Sequence, residues 1–420
     1  MRNLFDQYSQ PENKLTHALA CTLSNDRRLI RPFLKWLKIG PHPPAAGLRL
    51  VEQQVPGLIV SGEEEEAEAK GLPDACLFNE EGWALLLESK VQSAVSLGQL
   101  ERHLRTAARH GYEDARVVVI AIKCPNGVVS ERAQAVQWRQ VYKWFRKCAK
   151  LSAPAAVFVD YMEVLESQMI ADGYLKQGTL TMFDGLRFDR DSPYTHREGK
   201  RLLQLLRGEF LQRKELQALG VDPSGEGRPA ITGRGSDAVW DFLPLAKARN
   251  ATQFTAFPHL SLGMNTEVAN AAITVPNGVK GGFRTKLKAG GVQAFRSLVL
   301  TLDAELRRAK KLRACWAAKR VLCVHQRHFP SQRSHGITDG WLEVDVRALR
   351  GCPRAGVRRQ PEWIDAIYNL LIHKRSNIEF GVEVRFGYDC PAVRSREVID
   401  LFVDTWTALK PLLDFVLSGG

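Results

Sequence analysis

Gly71-Leu72-Pro73-Asp74-Ala75-Cys76-Leu77-Phe78-Asn79-Glu80-Glu81-Gly82-Trp83-Ala84-Leu85-Leu86-Leu87-Glu88-Ser89-Lys90 reads as two apolar runs folded back on each other, with charge gathered at one end. Trp83 to Leu87 has the unbroken apolar character of a strand covered on both faces. Strand side chains alternate, so Glu88 and Lys90 point the same way. The shorter run Ala75 to Phe78 follows Asp74, and Asn79-Glu80-Glu81-Gly82 is turn-like. The resulting hairpin would bring Asp74 beside Glu88. A carboxylate and an ammonium at the end of a buried strand are costly unless they are paired or bind a metal. Two carboxylates and a lysine converging there suit a hard divalent cation and a positioned water.

The flanking sequence supplies a frame for this hairpin. A helix is expected to begin near Pro11, and Leu15, Leu19, Leu23, Ile30, Phe33, Leu34 and Leu37 fit one or two amphipathic helices. Glu12 stands at its start, where a carboxylate suits the helix dipole, and two readings are open: a capping charge or a further acidic ligand. Past the hairpin, Ser96 to Leu104 is helix-periodic and ends at His110-Gly111. Ala115 to Ile122 is expected as a buried strand. A Trp-rich helix with Trp138, Val141, Tyr142, Trp144 and Phe145 comes next, then a further strand at Ala155 to Val159. The succession α-β-β-β-α-β-α-β describes an α/β domain over residues 1–185.

Pro73-Asp74 … Glu88-Ser89-Lys90, within that order of elements, resembles the PD-(D/E)XK nuclease superfamily, the restriction-endonuclease-like fold. The resemblance covers residues 1–185 alone. It implies a mixed-sheet core and a metal-dependent phosphodiester hydrolase. It also implies Mg²⁺, with Mn²⁺ as substitute, held by Asp74 and Glu88, with the Ser89 backbone carbonyl and Glu12 as further ligands. Lys90 would orient or help deprotonate the attacking water. Gln99, nine residues past Lys90, would orient a ligand or touch phosphate. Relatives often carry Q-x-x-x-Y at this place, and here the fourth position after Gln99 is His103. The implied substrate is DNA, with RNA open, and the implied products carry 5′-phosphate and 3′-hydroxyl ends. By analogy of fold, the setting is a bacterial restriction or anti-phage defence effector. A homodimer, or a separate NTPase or sensor protein as partner, fits that setting, since the chain has no Walker A motif. The alternative is a non-cleaving nucleic-acid-binding or scaffold subunit that keeps the fold. The intact Asp74, Glu88 and Lys90 argue against it.

Charge separates the two halves. Residues 1–190 carry a balance of +1 and residues 191–420 a balance of +12. Basic clusters at Arg307, Arg308, Lys310, Lys311 and Arg313, at Lys319-Arg320, at Arg354 to Arg359, and at Lys374-Arg375 point to a polyanion-facing surface. Residues 186–240 read as a Gly/Pro-rich connector, whose richest part, with Arg228 and Arg234, is either a plain connector or a loop that covers substrate, and 241–420 as a basic α+β domain for nucleic-acid or partner binding. There, a helix is expected at about Val292 to Ala317, strands at Arg320 to Val324, Trp341 to Val346 and Ile378 to Phe386, and a closing helix from Ser395 to about Leu417. His325-x-x-His328 lacks a Cys or carboxylate at zinc spacing and reads as a surface or substrate contact. Glu63 to Glu66 reads as a solvated loop. Eight scattered cysteines without a C-x-x-C pair indicate reduced thiols and a cytoplasmic setting, and argue against a zinc site or a disulfide framework. No apolar run approaches the roughly 20 residues of a membrane span.

Overall fold

A computed structural model describes residues 5, 7–40, 42–57, 72–94, 96–123, 130–176, 178–188, 195–225, 238–251, 253–279, 282–331 and 334–418. Glu63 to Glu66, Gly71, Cys124, Arg228 and Arg234 lie outside the described residues. The chain is mixed α/β with two sheets, in two compact units, Met1–Met182 and Phe183–Gly420.

In the first unit, strands β1 (Arg49–Glu52), β2 (Ala75–Phe78), β3 (Trp83–Lys90), β4 (Asp114–Ala121) and β5 (Ala133–Gln137) lie in that order in one sheet. The first three are antiparallel neighbours, and β3, β4 and β5 run parallel. The β2–β3 turn is fixed by Asn79, whose Oδ1 accepts from Glu81 N (3.1 Å) and Trp83 N (2.9 Å). Gly82 follows at φ 89°, a left-handed backbone that glycine adopts without strain. Every residue of β3 but Lys90 is buried, because helices cover both faces. On one face Leu77, Leu85 and Leu87 meet α1 (Pro11–Asn25), α2 (Ile30–Trp36), α4 (Trp138–Cys148) and α5 (Ala153–Ala171). On the other, Cys76, Leu86, Val117 and Val119 meet Leu100 and Ala107 of α3 (Leu97–Arg109).

Two expectations for this unit are corrected. Ala155 to Val159 is not a strand but part of α5. Ser152 caps that helix by accepting from Ala155 N (3.3 Å), and Pro154 stands in its first turn. The apolar run continues at helical period through Met162, Leu165 and Met169, so a five-residue window mistook a helix for a strand. The sheet instead gains β5, whose sequence Ala-Gln-Ala-Val-Gln is only half-buried and lacks an apolar run.

In the second unit, six strands lie in the order β10-β9-β11-β8-β7-β6, all antiparallel: β6 (Val239–Leu243), β7 (His259–Met264), β8 (Val268–Val275), β9 (Lys319–His328), β10 (Ile337–Asp345) and β11 (Asn377–Gly387). Ile378, Phe380, Val382, Val384 and Phe386 alternate into a core shared with α8 (Phe283–Arg308), α10 (Pro361–Ile372), α11 (Glu397–Ala408) and α12 (Lys410–Leu417). The opposite face of β11 carries Glu379, Glu383 and Arg385, as the alternation in its sequence requires.

Residues 186–240, expected as a connector, contain α6 (Thr195–Leu211) and the short α7 (Lys214–Ala218). Leu202, Leu203, Leu206 and Phe210 bury that segment in the core. The helix expected from Val292 to Ala317 begins earlier, bends at Gly291 (φ 68°), and resumes after Arg308 as α9 (Lys310–Ala314). The closing helix breaks at Leu409, ahead of Pro411, whose ring leaves no N–H for a continuous ladder.

Candidate active site

The antiparallel register of β2 and β3 pairs Ala75 with Leu87. One step further, Asp74 lies opposite Glu88, on the sheet face covered by α3. Asp74 Oδ2 accepts a 2.6 Å hydrogen bond from Ser89 N. Within a strand the N–H and C=O of one residue point to the same side, so the Ser89 carbonyl also faces the Asp74 edge. Lys90 C=O faces the other neighbour and accepts from Ile122 N at 3.0 Å.

Glu88 is only 3 % exposed and takes three side-chain contacts. Lys90 Nζ lies 2.7 Å from Oε1, Gln99 Nε2 donates to Oε1 at 2.6 Å, and His103 Nε2 meets Oε2 at 3.1 Å. Gln99 and His103 are one turn apart on α3 and therefore face the same strand end. His103 stands four residues after Gln99, and its fully buried imidazole reaches the carboxylate from that position. Its helical spacing from Gln99 was the available signal.

Glu12 approaches from α1. Its Oε1 accepts from Val91 N (2.8 Å), Gln92 N (3.1 Å) and Ser93 Oγ (3.0 Å), fastening the chain that leaves β3. Burial alone would raise the Glu12 pKa, but the N–H groups of Val91 and Gln92 outweigh it and hold the carboxyl below its usual range. Glu12 is therefore not a cap for its own helix. Its charge also contributes to the shift of Asp74.

The two strand carboxylates differ sharply. Burial first, then the charge of Glu88, push Asp74 up to about 7. Burial works against ionised Glu88 as well, but His103 and Lys90 hold it below its usual range. The two carboxylates are thus pushed apart, Asp74 upward and Glu88 downward, as expected for two acids sharing a small space. A divalent cation relieves that conflict. The oxygens of Asp74, Glu88 and the Ser89 carbonyl are a hard donor set suited to Mg²⁺. A cavity of about 680 Å³ lined by Glu80, Glu81, Trp83, Glu113 and Asp114 lies at the opposite end of β3.

The five cluster residues expected to meet nucleic acid are exposed, but some are engaged. Arg307 lies 3.4 Å from Asp303 and Arg308 2.6 Å from Glu305, both within α8. Arg313 donates to the Arg308 carbonyl, and Lys311 N to Asp404. Lys310 is exposed at the start of α9. Arg350, Arg354, Arg358 and Arg359 are exposed around a tight turn, with no carboxylate partner among the described residues. A bridge between Cys352 and Val357 closes that turn, and Arg354 stacks 5.1 Å over the Trp316 ring, itself 46 % exposed. His325 and His328 do not converge. His325 stacks on Trp341 and bonds Thr338, and His328 meets Asp339.

No family model, no curated protein and no solved structure matches the chain.

Proposed function

We propose that the chain is a metal-dependent nuclease acting through the β3 strand end, on DNA in the first instance. The observation that carries the reading is the convergence of Asp74, Glu88 and Lys90 on one edge, with Gln99 and His103 locking Glu88. The spatial arrangement agrees with the PD-(D/E)XK resemblance of the sequence, with a three-stranded antiparallel edge joined to parallel β4 and β5.

Asp74 and Glu88 would hold Mg²⁺, or Mn²⁺ in its place, with the Ser89 carbonyl as a further ligand. When bound, the cation lowers the pKa of a coordinated water and offsets phosphate charge. The residues of the chain do the rest. Gln99 and His103 fix the Glu88 carboxylate so that its remaining lone pairs keep one direction. Lys90, drawn off Glu88 when phosphate arrives, orients the attacking water and offsets charge on the pentavalent phosphorus. Glu12 holds the Val91–Ser93 backbone, so its role is to position that edge, directly or through water to the cation.

The exposed arginine turn of the second unit supplies phosphate contacts, with Trp316 beside it as an apolar face. Lys310 and the ends of Arg307, Arg308, Lys311 and Arg313 add to the same charge. A cytoplasmic defence effector, with either a homodimeric state or a separate NTPase or sensor protein as partner, completes the proposal. No helix among the described residues is long and apolar enough to cross a membrane.

The test is incubation of purified wild-type and Asp74→Ala protein with supercoiled plasmid and linear DNA, in Mg²⁺, in Mn²⁺ and in EDTA. Cutting that needs the cation and disappears in the variant supports the reading. Tight DNA binding without cutting under every condition favours either the scaffold alternative or a nuclease gated by a missing activator.

A further inference from the structure

We propose that His17, Cys21 and Glu52 form a separate site for a borderline-soft divalent cation, Zn²⁺ in chemical class, that clamps α1 to the edge of the first sheet. His17 and Cys21 are one turn apart on α1, so both side chains leave the same helix face. Glu52 closes β1. His17 Nδ1 lies 2.9 Å and 2.8 Å from the two Glu52 oxygens. Cys21 Sγ lies 3.5 Å from His17 Nε2 and 3.8 Å from Nδ1. A ligand atom from each residue falls within 4.8 Å of the others, and this is the group among the described residues that does so. The Tyr8 hydroxyl donates to Glu52 at 3.4 Å, and its ring packs edge-on against His17.

The donor set decides the cation. A thiolate, an imidazole and a carboxylate suit Zn²⁺ and disfavour Mg²⁺. Tetrahedral Zn²⁺, with bonds of about 2.0–2.3 Å, holds its donor atoms roughly 3–4 Å apart. The Cys21–His17 separation already lies in that range. The His17–Glu52 pair has to open by only about half an ångström. Three protein ligands leave a fourth position for water or the Tyr8 oxygen. On uptake the Cys21 thiol gives its proton to solvent, and neutral His17 carries its proton on Nε2 so that Nδ1 is free to bind. The helix so clamped is the one that carries Glu12 to the end of β3. The inference rests on α1 and β1 alone and stands or falls apart from the nuclease reading.

The experiment strips the full-length chain with chelator and titrates it with Co²⁺, then Zn²⁺. The expected result is saturable Co²⁺ uptake with a thiolate-to-cobalt charge-transfer band that Zn²⁺ abolishes. Cys21→Ser removes the band. His17→Gln weakens Zn²⁺ binding, measured against a chromophoric chelator, by at least the roughly 10- to 100-fold that follows when a residue supporting a metal ligand is removed. Asp74→Ala leaves the band intact, which separates this site from the one at β3. Absence of the band in the wild-type chain overturns the proposal, and so does a band that persists in Cys21→Ser.

Discussion

Asp74 is where a proton and the proposed cation would compete. Its unfolded carboxyl titrates near about 3.9, while burial and then Glu88 lift the folded value to about 7. Between those values the folded, metal-free chain keeps a proton that the unfolded chain releases. The Asp74 contribution to stability is therefore full at low pH and declines as pH rises toward 7. Cation affinity runs the opposite way, since the cation must displace that proton. Calorimetric titration with Ca²⁺, a non-cleaving probe, is expected to weaken by about tenfold per pH unit below neutrality and to level off above it. A flat profile from acid to alkaline pH would remove Asp74 from the ligand set. His103 gives a second test at this scale. His103→Ala leaves a buried Glu88 oxygen without its donor, costing about 1–3 kcal/mol in chemical denaturation. The same change lowers cleavage by about 10- to 100-fold, as loss of an orienting partner does at metal sites. His103→Gln should restore part of both.

At the scale of elements, the hairpin was legible and its surroundings less so. Leu85, Leu86 and Leu87 read as a doubly covered strand because the turn at Asn79 to Gly82 bounds the run, and that turn set which carboxylates would meet. Gln99 announced α3 as the helix over that edge. Ala155 to Val159 failed because five apolar residues satisfy a strand and a helix equally; the deciding residues were Ser152 before them and Met162, Leu165 and Met169 beyond. β5 was invisible because its Gln134 and Gln137 break the apolar signal, and only the parallel partner β4 makes the segment a strand. Glu12 shows the limit of local reading. Its sequence position suits a helix dipole, yet its hydrogen bonds reach a segment 79 to 81 residues away. Glu12→Gln is expected to loosen Val91–Ser93, seen as faster amide exchange there, at a cost of about 1 kcal/mol. Because the folded Glu12 pKa is lowered, that difference is present at neutral pH and fades as pH falls through the carboxylate range. Unchanged exchange would show that the β3 exit holds its shape without Glu12.

Across the whole molecule, the sequence located the basic half and its clusters, Arg354 to Arg359 among them, but not which of their side chains are already paired. The run from Arg307 to Arg313 is dense in sequence, yet Arg307 and Arg308 face acids one turn away on their own helix. Arg354, Arg358 and Arg359 are held outward by a loop closure between Cys352 and Val357 that no composition count reveals. Replacing these three by alanine should weaken binding to duplexes of any sequence alike. It should also flatten the dependence of log affinity on log salt by roughly 0.9 for each phosphate that is no longer neutralised. An unchanged slope would place the polyanion surface elsewhere. The second unit resembles nothing that sequence reading could name, and its six-stranded sheet became clear only through pairings such as β11 with both β8 and β9.

Lys90 carries the central claim most directly, because its ammonium lies 2.7 Å from Glu88 at the end of β3. Lys90→Ala should fold as the wild type does by circular dichroism and still bind DNA. Single-turnover cleavage of plasmid in Mg²⁺ is the decisive measurement. The account predicts a rate about 100- to 1000-fold lower in the variant, the usual loss when one group stabilising the transition state is removed. Cleavage at the wild-type rate would contradict it.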